Sequence, residues 1–184
     1  RRQGMAAPAG STPSAYQRAL RRLARRDHSE AEIRRALATR GHPEDEIQEA
    51  LDRHRGQRYV NDETVAERIA PSRLEGHGQG RRRIRQGLRQ RGLAAETVEA
   101  GLRSALRDVD EDEVLDTLAR RYWRQHTRVE PARRLPRLWG FLLRRGFPAA
   151  HVRRRLQILW PRWSDALEGL EPAEMETDDG GEIG

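Results

Sequence analysis

The residues of this chain best suited to binding chemistry are its arginines. All 36 basic residues are arginine, and lysine is absent. A guanidinium group is planar and contacts a phosphate or a carboxylate through two hydrogen bonds at once, which an ammonium group cannot do. The most regular set is Arg82, Arg85 and Arg89, at positions i, i+3 and i+7 of one helix face.

Further arginines are grouped nearer the C-terminus. Arg133, Arg134, Arg137 and Arg144 form a similar array, and residues 153–155 are three consecutive arginines. A charged face of this kind can simply be solvated, but its recurrence on corresponding helices favours binding to DNA phosphates or to acidic side chains of a protein. The predicted contact residues are Arg82, Arg85, Arg89, Arg134, Arg137, Arg144 and Arg154.

Signals for catalysis are weak. The chain has no cysteine, and its six histidines are scattered without the spacing of a metal site, so surface or turn positions explain them. No serine, histidine and acid can be grouped from local sequence, and the carboxylates lie on helical faces expected to be exposed. We therefore expect no catalytic residue, metal or cofactor, and no enzymatic activity.

A glycine-rich segment, Gly76-His77-Gly78-Gln79-Gly80, precedes the helix that bears Arg82. Glycines before a basic helix can hold an anion at the helix N-terminus. The segment lacks the Lys-Ser/Thr ending of a P-loop. A flexible linker is the favoured interpretation.

Charge is divided unevenly along the chain. Residues 163–184 contain eight of the 29 acidic residues and no arginine, so residues 1–162 carry a net charge of +15. A basic body indicates a polyanionic partner or an acidic protein surface. The acidic tail is either a solubility extension or a segment that folds back onto the arginines and competes with that partner. No stretch is long and apolar enough to span a membrane, and we expect a cytoplasmic monomer.

The elements that position these arginines come from a repeat. Two apolar residues four apart, a glycine, and two more apolar residues four apart recur with periods of 51 and 54 residues. Each glycine follows an arginine, at the position that favours a left-handed helix C-cap. The repeats are Ile33, Leu37, Gly41, Ile47, Leu51; Ile84, Leu88, Gly92, Val98, Leu102; and Leu138, Leu142, Gly146, Val152, Leu156.

The repeat predicts an all-α, elongated tandem array of three three-helix modules, with about nine helices in total. A Ser-x-x-Glu capping box at Ser29 and Glu32 opens the first repeated helix, and Pro43 opens the next one. Pro71 is expected to end a helix of the second module. The predicted boundaries are a disordered lead at 1–14, modules at 15–58, 59–108 and 109–160, and a flexible acidic tail at 161–184.

A helix-turn-helix interpretation of each glycine turn is the obvious alternative. It would bring the start of the second helix to DNA, but Glu44, Asp45 and Glu46 stand at that position in the first module. Phosphate would repel them. Sequence-specific reading of DNA is therefore disfavoured, whereas contact with the DNA backbone stays open.

Several segments together resemble the RecX family of regulators of the RecA recombinase, over about residues 15–160. The segments are Ala19-Leu20-x-x-Leu23-Ala24-Arg25-Arg26 followed by Ser29-x-x-Glu32 and Arg40-Gly41; Tyr59-Val60-Asn61-Asp62-Glu63; Gly80-x-x-x-Ile84-x-x-x-Leu88-x-x-Arg91-Gly92; and Arg144-Arg145-Gly146-Phe147. The resemblance implies a cytoplasmic, non-enzymatic protein that binds RecA filaments on single-stranded DNA and restrains recombinase, ATPase and co-protease activity. The alternative is a non-specific nucleic-acid-binding helical module that needs no recombinase.

Overall fold

The computed structural model describes residues 13–168, a range that contains ten α-helices and no strand. The helices are α1 Ala15–Leu23, α2 Glu30–Ala38, α3 Glu44–Gly56, α4 Asp62–Pro71, α5 Arg81–Gln90, α6 Ala95–Ala105, α7 Glu111–Gln125, α8 Pro131–Arg144, α9 Ala149–Leu159 and α10 Ser164–Glu168. The predicted all-α class is confirmed. None of these helices is long and apolar enough to cross a membrane.

The chain divides into two compact units. Within the described residues, unit 1 comprises residues 13–65 together with Arg91–Leu93, and unit 2 comprises Ala66–Gln90 and residues 94–168. The twelve apolar residues of the repeat are all buried, with side chains at most 2% exposed. The repeat therefore marks the core positions of both units.

Unit 1 is built on α1, α2 and α3, which pack on one another. The predicted capping box is present at the start of α2: Ser29 Oγ accepts from the Glu32 N–H at 3.1 Å, and the Ser29 N–H donates to Glu32 at 3.0 Å. Pro43 occupies the N-cap of α3 rather than its first turn. Three acidic residues follow it, where the helix dipole favours negative charge.

Unit 2 contains the helix pair α5 and α6 and the set α7, α8 and α9. Asp110 caps α7 by accepting from two backbone N–H groups of the first turn. Trp139 of α8, next to the buried Leu138, is fully buried. Pro131 is the first residue of α8, and Pro136 lies inside the helix.

The three turn glycines have the left-handed backbone that their position predicts, with φ of +79° at Gly41, +91° at Gly92 and +90° at Gly146. Their surroundings differ. A Cβ added at Gly92 would lie 2.4 Å from Ala31 Cβ, and one added at Gly146 would lie 2.5 Å from the backbone of Arg83. At Gly41 no neighbouring atom lies within 4 Å of such a Cβ.

Residues 76–80, predicted to be a flexible linker, are packed against the rest of unit 2. The α-helix α4 ends at Pro71, as predicted, but a π-helical turn follows directly over Ser72–Gly76, with Leu74 fully buried. Gly78 lies against Leu118, and the Gly80 N–H donates to Arg145 O at 2.8 Å. The glycines are needed for close packing, because a Cβ at Gly80 would lie 2.6 Å from the Gly146 backbone.

The residues after α9 differ from the predicted tail. Pro161–Trp163 form a 3₁₀ turn that leads into α10, and Leu167 of α10 is fully buried. The Trp160 ring is tilted against the Trp123 ring, with ring centroids 5.0 Å apart. The predicted lead, up to residue 12, and the rest of the acidic tail, from residue 169, lie outside the described residues.

Two histidines expected at surface or turn positions are buried in unit 1. His54 is fully buried, stacks on Tyr16 with ring centroids 4.2 Å apart, and hydrogen-bonds Tyr16 O through Nε2 at 3.1 Å. His28 is nearly as buried. Burial lowers the pKa of both imidazoles below 6.5, since a charged ring would lose its hydration.

We predict that Gly146→Ala destabilises the protein far more than Gly41→Ala. Both substitutions place a Cβ on a left-handed residue, at about 1 kcal/mol. Only Gly146→Ala also drives that Cβ into the backbone of Arg83, which adds about 1–3 kcal/mol of overpacking. Urea unfolding of both variants measures the difference, and equal losses would contradict the docked turn.

We also predict that the free energy of unfolding falls as the pH drops below 6.5. Below that pH the two histidines are protonated in the unfolded chain but stay neutral in the folded protein. The free energy of unfolding therefore changes by up to about 1.4 kcal/mol per pH unit for each histidine. The loss ends at the lowered pKa of the folded form. Unfolding curves between pH 7.5 and about 5 test this, and His54→Gln should reduce the slope. An unchanged slope in that variant would refute the role of His54.

Candidate arginine-rich binding surface

The predicted arginine face of α5 is only partly free. Ile84 and Leu88 point into the core, as the spacing predicts, and Arg82 and Arg89 are exposed. Arg85 instead binds the Glu99 carboxylate of α6 through Nε and Nη2, and Nη2 lies 3.0 Å from Oε2. This hydrogen bonding lowers the pKa of the Glu99 carboxyl. Arg85 is therefore committed to an internal ion pair.

Arg134 does not belong to an exposed binding face, contrary to the prediction. Its side chain is buried, with only 7% of the residue exposed. Nε donates to Val129 O at 3.0 Å and Nη2 donates to Thr127 O at 2.9 Å. The guanidinium also lies 4.6 Å from the ring centroid of Trp123. Arg134 thus fixes the loop before α8 against α7.

Arg154 is exposed, with 66% of its side chain accessible, but it lies beside carboxylates. Its Nη2 is 3.9 Å from Asp112, which also binds His151 and Arg155. Arg155 completes this network with a contact of 2.5 Å to Asp116. The neighbouring acids repel a polyanion, so Arg154 is a weak candidate.

Arg137 and Arg144 belong to a larger group that also contains Arg83, Arg121 and Arg145. Burial raises the pKa of Tyr122, and the positive charges of Arg137 and Arg144 oppose that shift. Burial lowers the pKa of Arg145, and the charges of Arg83 and Arg121 lower it further. These five residues are named the α7–α8 arginine cluster.

Two members of the cluster, Arg83 and Arg145, are held by main-chain carbonyls and an aromatic ring rather than by acids. Arg83 Nη1 donates to Arg144 O at 2.9 Å, and Arg145 Nη1 donates to His77 O at 2.5 Å. The Arg145 guanidinium lies 5.0 Å from the Phe141 ring centroid. Within residues 13–168, none of the five forms an ion pair with a carboxylate. Arg121, Arg137 and Arg144 are exposed, so the positive charge faces solvent.

Three family models match the chain in succession. They describe the first, second and third three-helix domains of RecX and match residues 15–53, 61–102 and 110–156. The chain belongs to the RecX family. Its three three-helix modules are those of the family, and the predicted resemblance is confirmed.

Individual members of the RecX family agree with this assignment. A protein named regulatory protein RecX from Trichlorobacter lovleyi is 35% identical over 140 residues, which are 75% of this chain and 90% of that protein. The protein of the same name from Thermobifida fusca is 36% identical over 147 residues, covering 79% and 78% of the two chains.

Solved RecX structures have the same fold. The crystal structure of RecX from Lactobacillus salivarius superposes with a TM-score of 0.69 at 21% identity, over 79% of this chain and 94% of that one. A crystal structure of regulatory protein RecX gives a TM-score of 0.65 at 25% identity, over 74% and 67% of the two chains.

The α7–α8 arginine cluster thus contains two of the predicted contact residues, Arg137 and Arg144. Its other three members were not predicted from the sequence. Arg121 lies on α7 and Arg83 on α5, far from α8 in sequence, so helical periodicity gives no sign of their proximity. Arg145 was assigned only to the helix C-terminus. The one usable signal is that Arg144 and Arg145 directly precede a turn glycine that requires close packing. In the described part of the chain no three acidic or histidine side chains are arranged to hold a metal ion.

We predict that Arg134→Ala lowers stability by about 2–4 kcal/mol, because it removes charged hydrogen bonds and packing on Trp123. Arg137→Ala, three residues along the same helix, removes the same charge from an exposed side chain and should change stability by less than about 0.5 kcal/mol. Thermal and urea unfolding compare the two variants. Similar losses would mean that Arg134 is not a structural residue.

Proposed function

We propose that this chain regulates a RecA recombinase by binding the filament that RecA forms on single-stranded DNA. Binding would restrain ATPase, strand-exchange and co-protease activity without any chemistry by the chain itself. Membership of a family of regulatory proteins supports the regulatory role. The α7–α8 arginine cluster supports the mode of binding.

The observation that best supports binding to an anionic partner is that the arginines of the cluster have no acidic partners within the described residues. The Arg145 guanidinium lies over the Phe141 ring, the charges of Arg137 and Arg144 act on Tyr122, and those of Arg83 and Arg121 act on Arg145. No carboxylate within the described chain forms an ion pair with any of the five. Guanidinium groups repel one another, and an anion that binds several of them relieves that repulsion. Phosphates of filament-bound DNA and carboxylates of the recombinase surface are both suitable ligands.

A second function, non-specific binding to nucleic acid, is favoured by the same cluster. Phosphate contacts alone give an affinity that falls steeply with salt and hardly depends on sequence. The two functions differ in their need for the recombinase. Regulation requires an effect at a chain concentration well below that of the DNA sites, whereas simple competition appears only when free DNA is saturated.

The test is the single-strand-dependent ATPase rate of a cognate RecA titrated with this chain. We expect substoichiometric inhibition, weakened at least about tenfold by the triple variant Arg121→Ala, Arg137→Ala and Arg144→Ala, because each lost charged contact costs about 0.5–1 kcal/mol or more.

The matched control is Arg21→Ala, Arg25→Ala and Arg107→Ala, which removes the same charge from exposed positions outside the cluster. The double variant Arg82→Ala and Arg89→Ala measures the contribution of the free arginines on α5. Inhibition that tracks only the saturation of free DNA would support the second function. Equal weakening by the control would show that total charge matters and the cluster does not.

A further inference from the structure

Two of the three arginine-glycine turns are docked in the same manner onto the start of an earlier helix. In unit 1, Arg91 O accepts a hydrogen bond from Ser29 Oγ, the N-cap of α2, at 2.6 Å. Arg91 Nη2 donates to Asp27 O at 2.8 Å, three residues before α2 begins. Gly92 lies directly on Ala31, in the first turn of that helix.

The turn at Arg145 and Gly146 repeats this arrangement within unit 2. Arg145 O accepts from the N–H of Gly80, the residue before α5, and Arg145 Nη1 donates to His77 O. Gly146 lies on Arg83, in the first turn of α5. In both cases the carbonyl of the turn arginine accepts a hydrogen bond from the residue just before the helix. The guanidinium of the same arginine donates to a main-chain carbonyl a few residues before that helix, and the glycine lets the two backbones come close because it has no side chain.

The turn at Arg40 and Gly41 has the same left-handed backbone but no such partner. Arg40 is exposed, and within residues 13–168 neither its guanidinium nor its carbonyl takes part in a hydrogen bond of this kind. No neighbouring atom lies within 4 Å of the position that a Cβ of Gly41 would take. Two arginine-glycine turns thus dock within the chain, whereas the third, Arg40–Gly41, lies exposed on its surface.

We propose that the Arg40–Gly41 turn binds the N-terminus of a helix in a partner protein, one that begins with a Ser/Thr-x-x-Glu sequence. The docked turn in unit 1 shows the chemistry. Arg91 forms two bonds to Glu32, the acid of the capping box, at 3.1 and 2.8 Å. An exposed arginine and an exposed capping-box glutamate are complementary in charge and in geometry.

The lowered pKa of Glu32 agrees with a preference of the turn arginine for a capping-box glutamate. Burial alone would raise the pKa of the Glu32 carboxyl, but the hydrogen bonds from Arg91 and from the Ser29 N–H bring it down to about 2. The ionised capping-box acid is therefore strongly favoured when an arginine of this type binds it. The same gain is available to Arg40 from a partner helix.

A second copy of the chain does not provide this helix start within the described residues. The starts of α2 and α5 are already occupied. By the repeat, Arg134 corresponds to Ser29 and Gly80, each twelve residues before its turn glycine. There α8 begins earlier, at Pro131, and Arg134 bonds Thr127 and Val129 instead. The matching surface is covered by the extra turn of α8.

The probe is a lactam-stapled helical peptide with the sequence of residues 27–38, which contains the capping box. It is titrated into the full isotope-labelled chain, and the amide shifts of Arg40 and Gly41 are followed by NMR. We expect saturable shifts at this turn, with affinity at least tenfold weaker for a peptide carrying Ser29→Ala and Glu32→Ala. This experiment needs no recombinase, so its failure is distinct from failure of the proposed function.

Two variants of the chain test the turn itself. Gly41→Asn keeps a residue that tolerates a left-handed backbone but adds a side chain at the contact, and Arg40→Glu reverses the charge. Both should weaken peptide binding at least tenfold, whereas Arg21→Glu, on the exposed side of α1, should not.

Three results would overturn the proposal. They are no shift at Arg40 and Gly41 with millimolar peptide, equal binding of the peptide without its capping box, and binding that appears only after residues 1–12 are removed. The last result would assign the turn to the chain's own N-terminal segment.

Discussion

Much of this structure depends on a left-handed glycine that lets one backbone approach the start of another helix. At Gly146 the neighbour is the backbone of Arg83, and at Gly92 it is Ala31. Any side chain at these glycines would separate the surfaces and break the hydrogen bonds that Arg91 and Arg145 form with the segments before α2 and α5. The position of the glycine therefore determines where the arginine binds, and hence the packing of each unit.

The same contact explains how a charged surface cluster forms in a chain with a modest core. Gly146 lies on α5, so Arg83 is brought to Arg144 and Arg145 at the end of α8. Main-chain carbonyls take up some guanidinium hydrogen bonds, but carbonyls carry no net charge. The arginines are thus held in place while their positive charge stays available.

The apolar positions and turns could be predicted from the sequence because they depend on local rules. Helical spacing identified Ile84 and Leu88 as core residues, and a serine three residues before a glutamate identified the capping box at Ser29. Arg134 could not be placed correctly, since periodicity does not reveal that α8 starts one turn earlier, at a proline suited to a first helical position. The α7–α8 arginine cluster depends on contacts between helices far apart in sequence, which no local pattern records.

The position of Arg91–Leu93 in unit 1 has a consequence for synthesis on the ribosome. These residues are separated by 25 residues of unit 2 from the rest of unit 1, so unit 1 lacks part of its packing until residue 93 has emerged. Similarly, the hydrogen bond between Gly80 and Arg145 cannot form until residue 145 has emerged from the ribosome. Because domains fold as units during synthesis, each unit reaches its final packing late, and the nascent chain exposes the starts of α2 and α5 in the meantime.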